Sequence, residues 1–396
     1  MSTLDPSASR RSSAPFVAGV AVGAALGAGW ILARKFGRGQ SDQLFDWDRV
    51  TAIAVRTAGD LGSMAPAARE QVETEYQEIV REIAEPLGEY TGTGFDLSHT
   101  EVRALDRKSW IEANTVNFRH LFEPIEEVWR ESARPAASGL PGVAALGRFA
   151  VSGEMGVLMG YLARRVLGQY DITLLTQGPM EPGKLYFVEP NVDALHTHLG
   201  LPRREFRVWL ALHEATHAHE FEGYPWIRPY MDQLIRDYLR SMSDNIATGN
   251  LSMVTSFGDI VEKLFKGDSI LEATMTPEQH DLFLRLQALM TVLEGYATHI
   301  MSAVGQHLIP HYEQIEERVE ARKNQRSTLE LLFLRLTGLQ LKMDQYRLGT
   351  AFVAAVERER GRDFLHRIWE GPEQLPTMDE ITAPERWIKR VELVAA

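Results

Sequence analysis

The chain has 396 residues, 54 acidic against 42 basic side chains, a net charge of −12 and no cysteine. That length can bury one large core or two ordinary ones, while the acidic balance argues against sequence-independent nucleic-acid binding, which needs a basic surface. Without cysteine there are no disulfides, thiol nucleophiles or thiolate zinc sites, so any metal must be held by His, Asp or Glu.

The first element in chain order is apolar. No charge falls between Arg11 and Arg34, and those 22 residues would span roughly 33 Å as a helix, about the hydrocarbon thickness of a bilayer. A membrane anchor over about 14–33 is therefore expected, with Gly19, Gly23 and Gly27 forming a small-residue face. Two other readings stay open: a cleaved signal, since Arg10-Arg11 is loosely like a twin-arginine signal, and a soluble Ala/Gly tail in a cytoplasmic protein. Basic residues on the two flanks nearly balance, so orientation is undecided.

From about residue 42 onward the pattern is mainly helical, with apolar residues at three- and four-residue spacing through 65–87, 101–132 and 147–168. A Pro/Gly/Ser-rich stretch at 134–142 marks a subdivision of the 42–396 region near 134–146. Two β-prone runs, 170–175 and 184–188, flank a Gly-Pro turn and predict a short β-hairpin. Pro202 opens a helix running to about residue 220, stopped by Gly223 and Pro225. Thr276-Pro277-Glu278-Gln279 is a capping box that opens a helix reaching Gly305, and Ser327-Thr328-Leu329-Glu330 opens another through about 359.

The helix after Pro202 contains His213-Glu214-Ala215-Thr216-His217. Residues four apart project from one helix face, so the two imidazoles can reach a single zinc ion. Glu214 points partly aside, where a carboxylate can take a proton from the metal's water without ligating the metal. From the chain's histidine and acidic content, this arrangement is expected by chance below about 0.05 times. Phe206, Leu210, His213 and His217 also form one stripe, so the histidines continue an apolar face, and two buried histidines need a partner. His219 and Glu220 are less telling, because a charged residue at a helix end is usually solvated.

A catalytic zinc usually takes three protein ligands. One large class of zinc enzymes with this motif places a His six residues after the second His; here that residue is Gly223. The other class takes a Glu from a downstream helix, and Glu294 in LMTVLEGYATHIM meets that need, set among Leu286, Leu289, Met290, Leu293, Ile300 and Met301. A carboxylate in such company is costly to ionise unless it meets a cation or donors. The alternative is a Glu at the edge of the stripe that reaches solvent. His299 reads as a supporting residue or a core histidine rather than a ligand. Glu214-x-x-His217 also fits half of a di-metal carboxylate motif, but the second copy is missing.

These residues, with FDWDRV, DRKSWIEANTVNF, LGQYDITLL, GKLYFVEPNV, LEGYATHIM, GLQLKMDQYRLGTAFVAAVE and LPTMDEITAPERWIKRV, resemble the bacterial zincin-like metallopeptidases, a family often linked by name to deazaflavin-coenzyme biosynthesis. The resemblance covers nearly all of 42–396, although the apolar N-terminal segment is not part of it. It implies a mainly helical zincin-like fold and a zinc site at His213, His217 and Glu294. No residue points to binding of a deazaflavin.

The expected function is zinc-dependent hydrolysis of peptide bonds in a peptide or protein substrate, with Glu214 as the base. Tyr296, His299, Tyr346 and Arg347 are the candidate donors for the oxyanion. The alternative is a membrane-tethered scaffold that keeps a zinc site without catalysis.

Overall fold

The computed structural model describes residues 43–132, 143–171, 183–247, 275–324 and 339–395. Helices dominate. In chain order they are α1 (Trp47–Ala58), α2 (Pro66–Thr91), α3 (Arg107–Ser132), α4 (Val143–Ala163), α5 (Glu189–Leu199), α6 (Arg203–Gly223), α7 (Ile227–Ala247), α8 (Pro277–Leu308), α9 (Tyr312–Asn324), α10 (Leu339–Arg360), α11 (Arg362–Leu365), α12 (Met378–Thr382) and α13 (Pro384–Ala395). Among the described residues three short strands, β1 (Val102–Leu105), β2 (Gly168–Asp171) and β3 (Lys184–Val188), form one sheet in the order β1-β3-β2.

β2 and β3 pair antiparallel, Gly168 with Phe187 and Asp171 with Lys184, as a hairpin requires; residues 172–182 lie outside the described residues. β1 was not expected. Val102-Arg103-Ala104-Leu105 reads as the start of a helical run, yet it pairs in parallel with β3, Val102 opposite Leu185, and Asp106 then caps α3 by accepting from Ser109 N at 2.8 Å. Parallel pairing is non-local, so local spacing gives no hint of it. The break expected at 134–142 and the helix start expected at the Ser327 capping box also lie outside the described residues.

Two apolar clusters hold these elements. The larger joins α2, the sheet, α6, α8, α10 and the C-terminal helices, with Tyr76, Phe187, Phe206, Tyr296, Phe352 and Trp387 fully buried. The smaller joins α1, α3 and α4. α1 and α4 approach backbone to backbone: a Cβ at Gly160 would stand 2.5 Å from Ala54 O, and one at Gly156 would stand 2.8 Å from Val50 O. α6 runs through the larger core, and its Arg207, wholly buried, is bound by Glu189 and Glu75. Two elements, α5 and α2, are thereby fastened to the helix that bears the histidines.

The expectation of a membrane anchor is corrected. Among the described residues no helix is long and apolar enough to cross a membrane, and residues 1–42 lie outside them. The physical reason was already in the segment: seven of its 22 residues are Ala and four are Gly, which drive insertion weakly. α4, apolar as it is, carries Arg148 and Glu154 and spends its glycine face on α1.

Candidate metal centre

α6 starts directly after Pro202, which the absence of a backbone N–H makes harmless at a helix entry. From there the 3.6-residue repeat turns Phe206 and Leu210 into the core and brings His213 and His217 along the same stripe. α8, opened by the Thr276–Gln279 capping box, packs against α6 and presents Glu294, which is 5% exposed. His213 Nε2 lies 3.7 Å and His217 Nε2 3.8 Å from Glu294 Oε2, and one ligand atom from each of the three residues falls within 4.8 Å of the others. Atoms bound to one zinc at about 2.0–2.1 Å stand roughly 3.4 Å apart in a tetrahedron, so the two histidine–carboxylate distances lie within about 0.4 Å of that spacing and the widest separation would close by up to about 1.4 Å around an ion. Two imidazoles and a carboxylate are also the donor chemistry that zinc takes. Among the described residues no second such group is found.

Glu220 departs from the sequence reading. Far from being solvated at a helix end, it is fully buried and accepts from His217 Nδ1 at 2.7 Å. The helix continues to Gly223, so position 220 is still interior. Burial raises the Glu220 carboxyl to about 7 against the pull of His217. Burial works in the opposite direction on His217, but Glu220, then Glu294 and Glu214, outweigh it and hold the imidazolium up at about 9. With Nδ1 engaged by Glu220, Nε2 is the nitrogen turned toward Glu294. The i, i+3 spacing was visible in the sequence; its burial was not.

Glu214 turns aside from the two histidines onto β2. Its Oε2 accepts from Tyr170 N at 2.9 Å, and the residue is 7% exposed. His219 faces the opposite side of α6, bonded to Thr93 Oγ1 at 2.7 Å with Phe95 edge-on, and burial lowers its pKa to about 4.

The four candidate oxyanion donors fare differently. Tyr296 is fully buried and its hydroxyl meets His366 Nε2 at 3.1 Å. His299 Nε2 is engaged by Glu357 Oε2 at 2.5 Å, and Tyr90 donates to the other oxygen of that carboxylate. Arg347 is largely exposed and pairs with Glu320 at 3.3 Å, as a surface ion pair does. The side chain of Tyr346 lies outside the described residues.

Comparisons with known proteins give the family. A family model described as zincin-like metallopeptidase matches residues 45–388. A crystal structure from Chloroflexus aurantiacus, of a candidate hydrolase with a novel fold, is 37% identical, with a TM-score of 0.65 over 88% of this chain and 99% of that one. No curated protein matches. With the family match spanning the sheet, the histidine helix and the helix of Glu294, the chain belongs to the zincin-like metallopeptidase family.

Proposed function

We propose that the protein is a zinc-dependent hydrolase that cleaves peptide bonds. The observation that carries this reading is the convergence of His213, His217 and Glu294 from two helices, with Glu214 beside them but not among them. The family and the hydrolase named for the Chloroflexus structure support it.

His213, His217 and Glu294 would hold the metal, and Glu220 would keep the His217 ring oriented. A bound zinc ion supplies an acidified water and polarises the substrate carbonyl. The remaining work falls to Glu214. Adjacent helix positions diverge by about 100°, so Glu214 cannot share the line of His213 and stands where it can take a proton from the attacking water and pass it to the leaving amine. Its placement against β2, away from bulk solvent, keeps that proton in the site.

The test is Glu214→Gln, which preserves size and removes the proton acceptor. Zinc content and folding should be retained while hydrolysis of a peptide library falls by at least about 100-fold, the usual scale of a general base. Equal cleavage by both proteins overturns the mechanism. No cleavage by a fully zinc-loaded wild type overturns the enzyme reading in favour of a scaffold.

A further inference from the structure

β2 lies unusually close to Glu214. Gly168, its first residue, has no side chain to intervene: a Cβ there would stand 2.7 Å from Glu214 Cγ and 2.8 Å from Oε1. Two residues on, Tyr170 N donates to Glu214 Oε2 at 2.9 Å. Residues alternate along a strand, so Gly168 and Tyr170 turn the same backbone edge toward α6, while Gln169 between them pairs with Tyr186 across the sheet. The side chain of Gln169 is itself held, accepting from Trp110 Nε1 at 2.8 Å and donating to Asn114 at 3.2 Å.

The side chain of Tyr170 returns to the helix that bears Glu214. Its hydroxyl donates to Glu222 Oε1 at 2.5 Å, and Gly183 N donates to the same oxygen at 3.0 Å. Phe221 stacks near the tyrosine ring, centroids 6.1 Å apart, and Tyr170 is buried. One residue of β2 is thus bound to α6 twice, by its amide at Glu214 and by its hydroxyl at Glu222, two helical turns apart.

A glutamate has three side-chain torsions, and holding them in one rotamer costs conformational entropy. A base must meet a particular water within a hydrogen-bond length, so a carboxylate that wanders loses rate. We propose that β2 is a positioning strap for the base: the Tyr170 amide fixes one oxygen of Glu214, Gly168 makes room for the carboxylate to lie flat on the strand, and the Tyr170–Glu222 bond keeps the strap in register. Gly168, Tyr170 and Glu222 are positioning residues that act through Glu214. This rests on the reading of Glu214 as the base.

The contact and its consequence can be tested separately. Hydrogen exchange of [15N]tyrosine-labelled protein reads the Tyr170 amide directly, without turnover. In Glu214→Ala it should exchange at least about 10-fold faster, as expected on losing a bond to a charged acceptor, while the Tyr186 amide inside the sheet is unchanged. Unchanged exchange at Tyr170, or equal acceleration at both amides, overturns the strap. For the consequence, Gly168→Ala should keep zinc and KM while kcat falls by about 10- to 100-fold, the scale of a misplaced catalytic group. The same substitution made in Glu214→Gln should cost less than about 2-fold, because residues that act as a unit are not additive. Equal losses in the two backgrounds would make Gly168 merely structural and overturn the proposal. Should Gly168→Ala not fold, Tyr170→Phe, which removes the hydroxyl with its bond to Glu222 and the one it accepts from Gly183 N at 3.2 Å, carries the same comparison. A wild type that binds zinc but cleaves nothing defeats the base reading, and the amide exchange still decides whether the strap exists.

Discussion

Glu220 Oε2 stands 2.7 Å from His217 Nδ1 with no solvent access to the carboxylate. A fully buried carboxylate that engages one ring nitrogen sets which nitrogen remains for a metal. Glu294, by contrast, faces both histidines at nearly equal distances of 3.7 and 3.8 Å. The two glutamates therefore differ in placement, and a difference in role follows that can be measured. Glu220→Gln should weaken zinc by about 10- to 100-fold, the range for a partner that orients a ligand, and Glu294→Ala should weaken it further still. Chelator competition on purified protein ranks them. Full zinc occupancy in Glu294→Ala, or a Glu220 effect exceeding that of Glu294, would reverse the assignment.

A second prediction concerns how α8 holds Glu294 in place. α8 and α10 cross at two glycines: a Cβ at Gly349 would fall 2.0 Å from Thr291 O and 2.9 Å from Gly295 Cα. Those atoms are backbone and cannot swing aside. Gly349→Ala should push the helices apart, costing about 1–3 kcal/mol as overpacking does and lowering the melting temperature by several degrees. Because Gly295 directly follows Glu294, the variant should also release zinc at lower chelator concentration than wild type. An unchanged melting temperature and zinc affinity would mean that the crossing adjusts freely.

That crossing shows what sequence reading could and could not reach. LEGYATHIM and YRLGTAF are recognisable as family markers, yet nothing in either says that their glycines meet, since Gly295 and Gly349 are 54 positions apart. The histidine pair and Glu294 were legible because helical spacing is local and a carboxylate amid leucines asks for a cation. Pro202 and the Thr276 capping box marked helix starts for the same reason. β1, the Gly168 approach and the Arg207–Glu189 bond all join distant segments, and short-range periodicity carries no record of them. Glu220 was misread because a position near a helix end says nothing about what covers it.

The last prediction is a pH dependence of stability. Glu154, on α4 between Val151 and Met155 of the smaller core, is 6% exposed, and neither carboxylate oxygen has a hydrogen-bond partner among the described residues. Burial raises its pKa from 4.5 to about 8. Between those values the folded protein holds a proton that the unfolded chain has released, so this group lowers stability as pH rises from about 4.5 to about 8 and adds no further change above that. Glu154→Gln, which stays neutral throughout, should remove that slope. Its gain over wild type should be small near pH 4.5 and grow to a few kcal/mol, at most about 5, by pH 8 and above. Denaturant unfolding of both proteins across this range checks it. A gain that does not grow with pH would mean that Glu154 ionises in the folded protein without penalty, and that its carboxylate is stabilised where it sits.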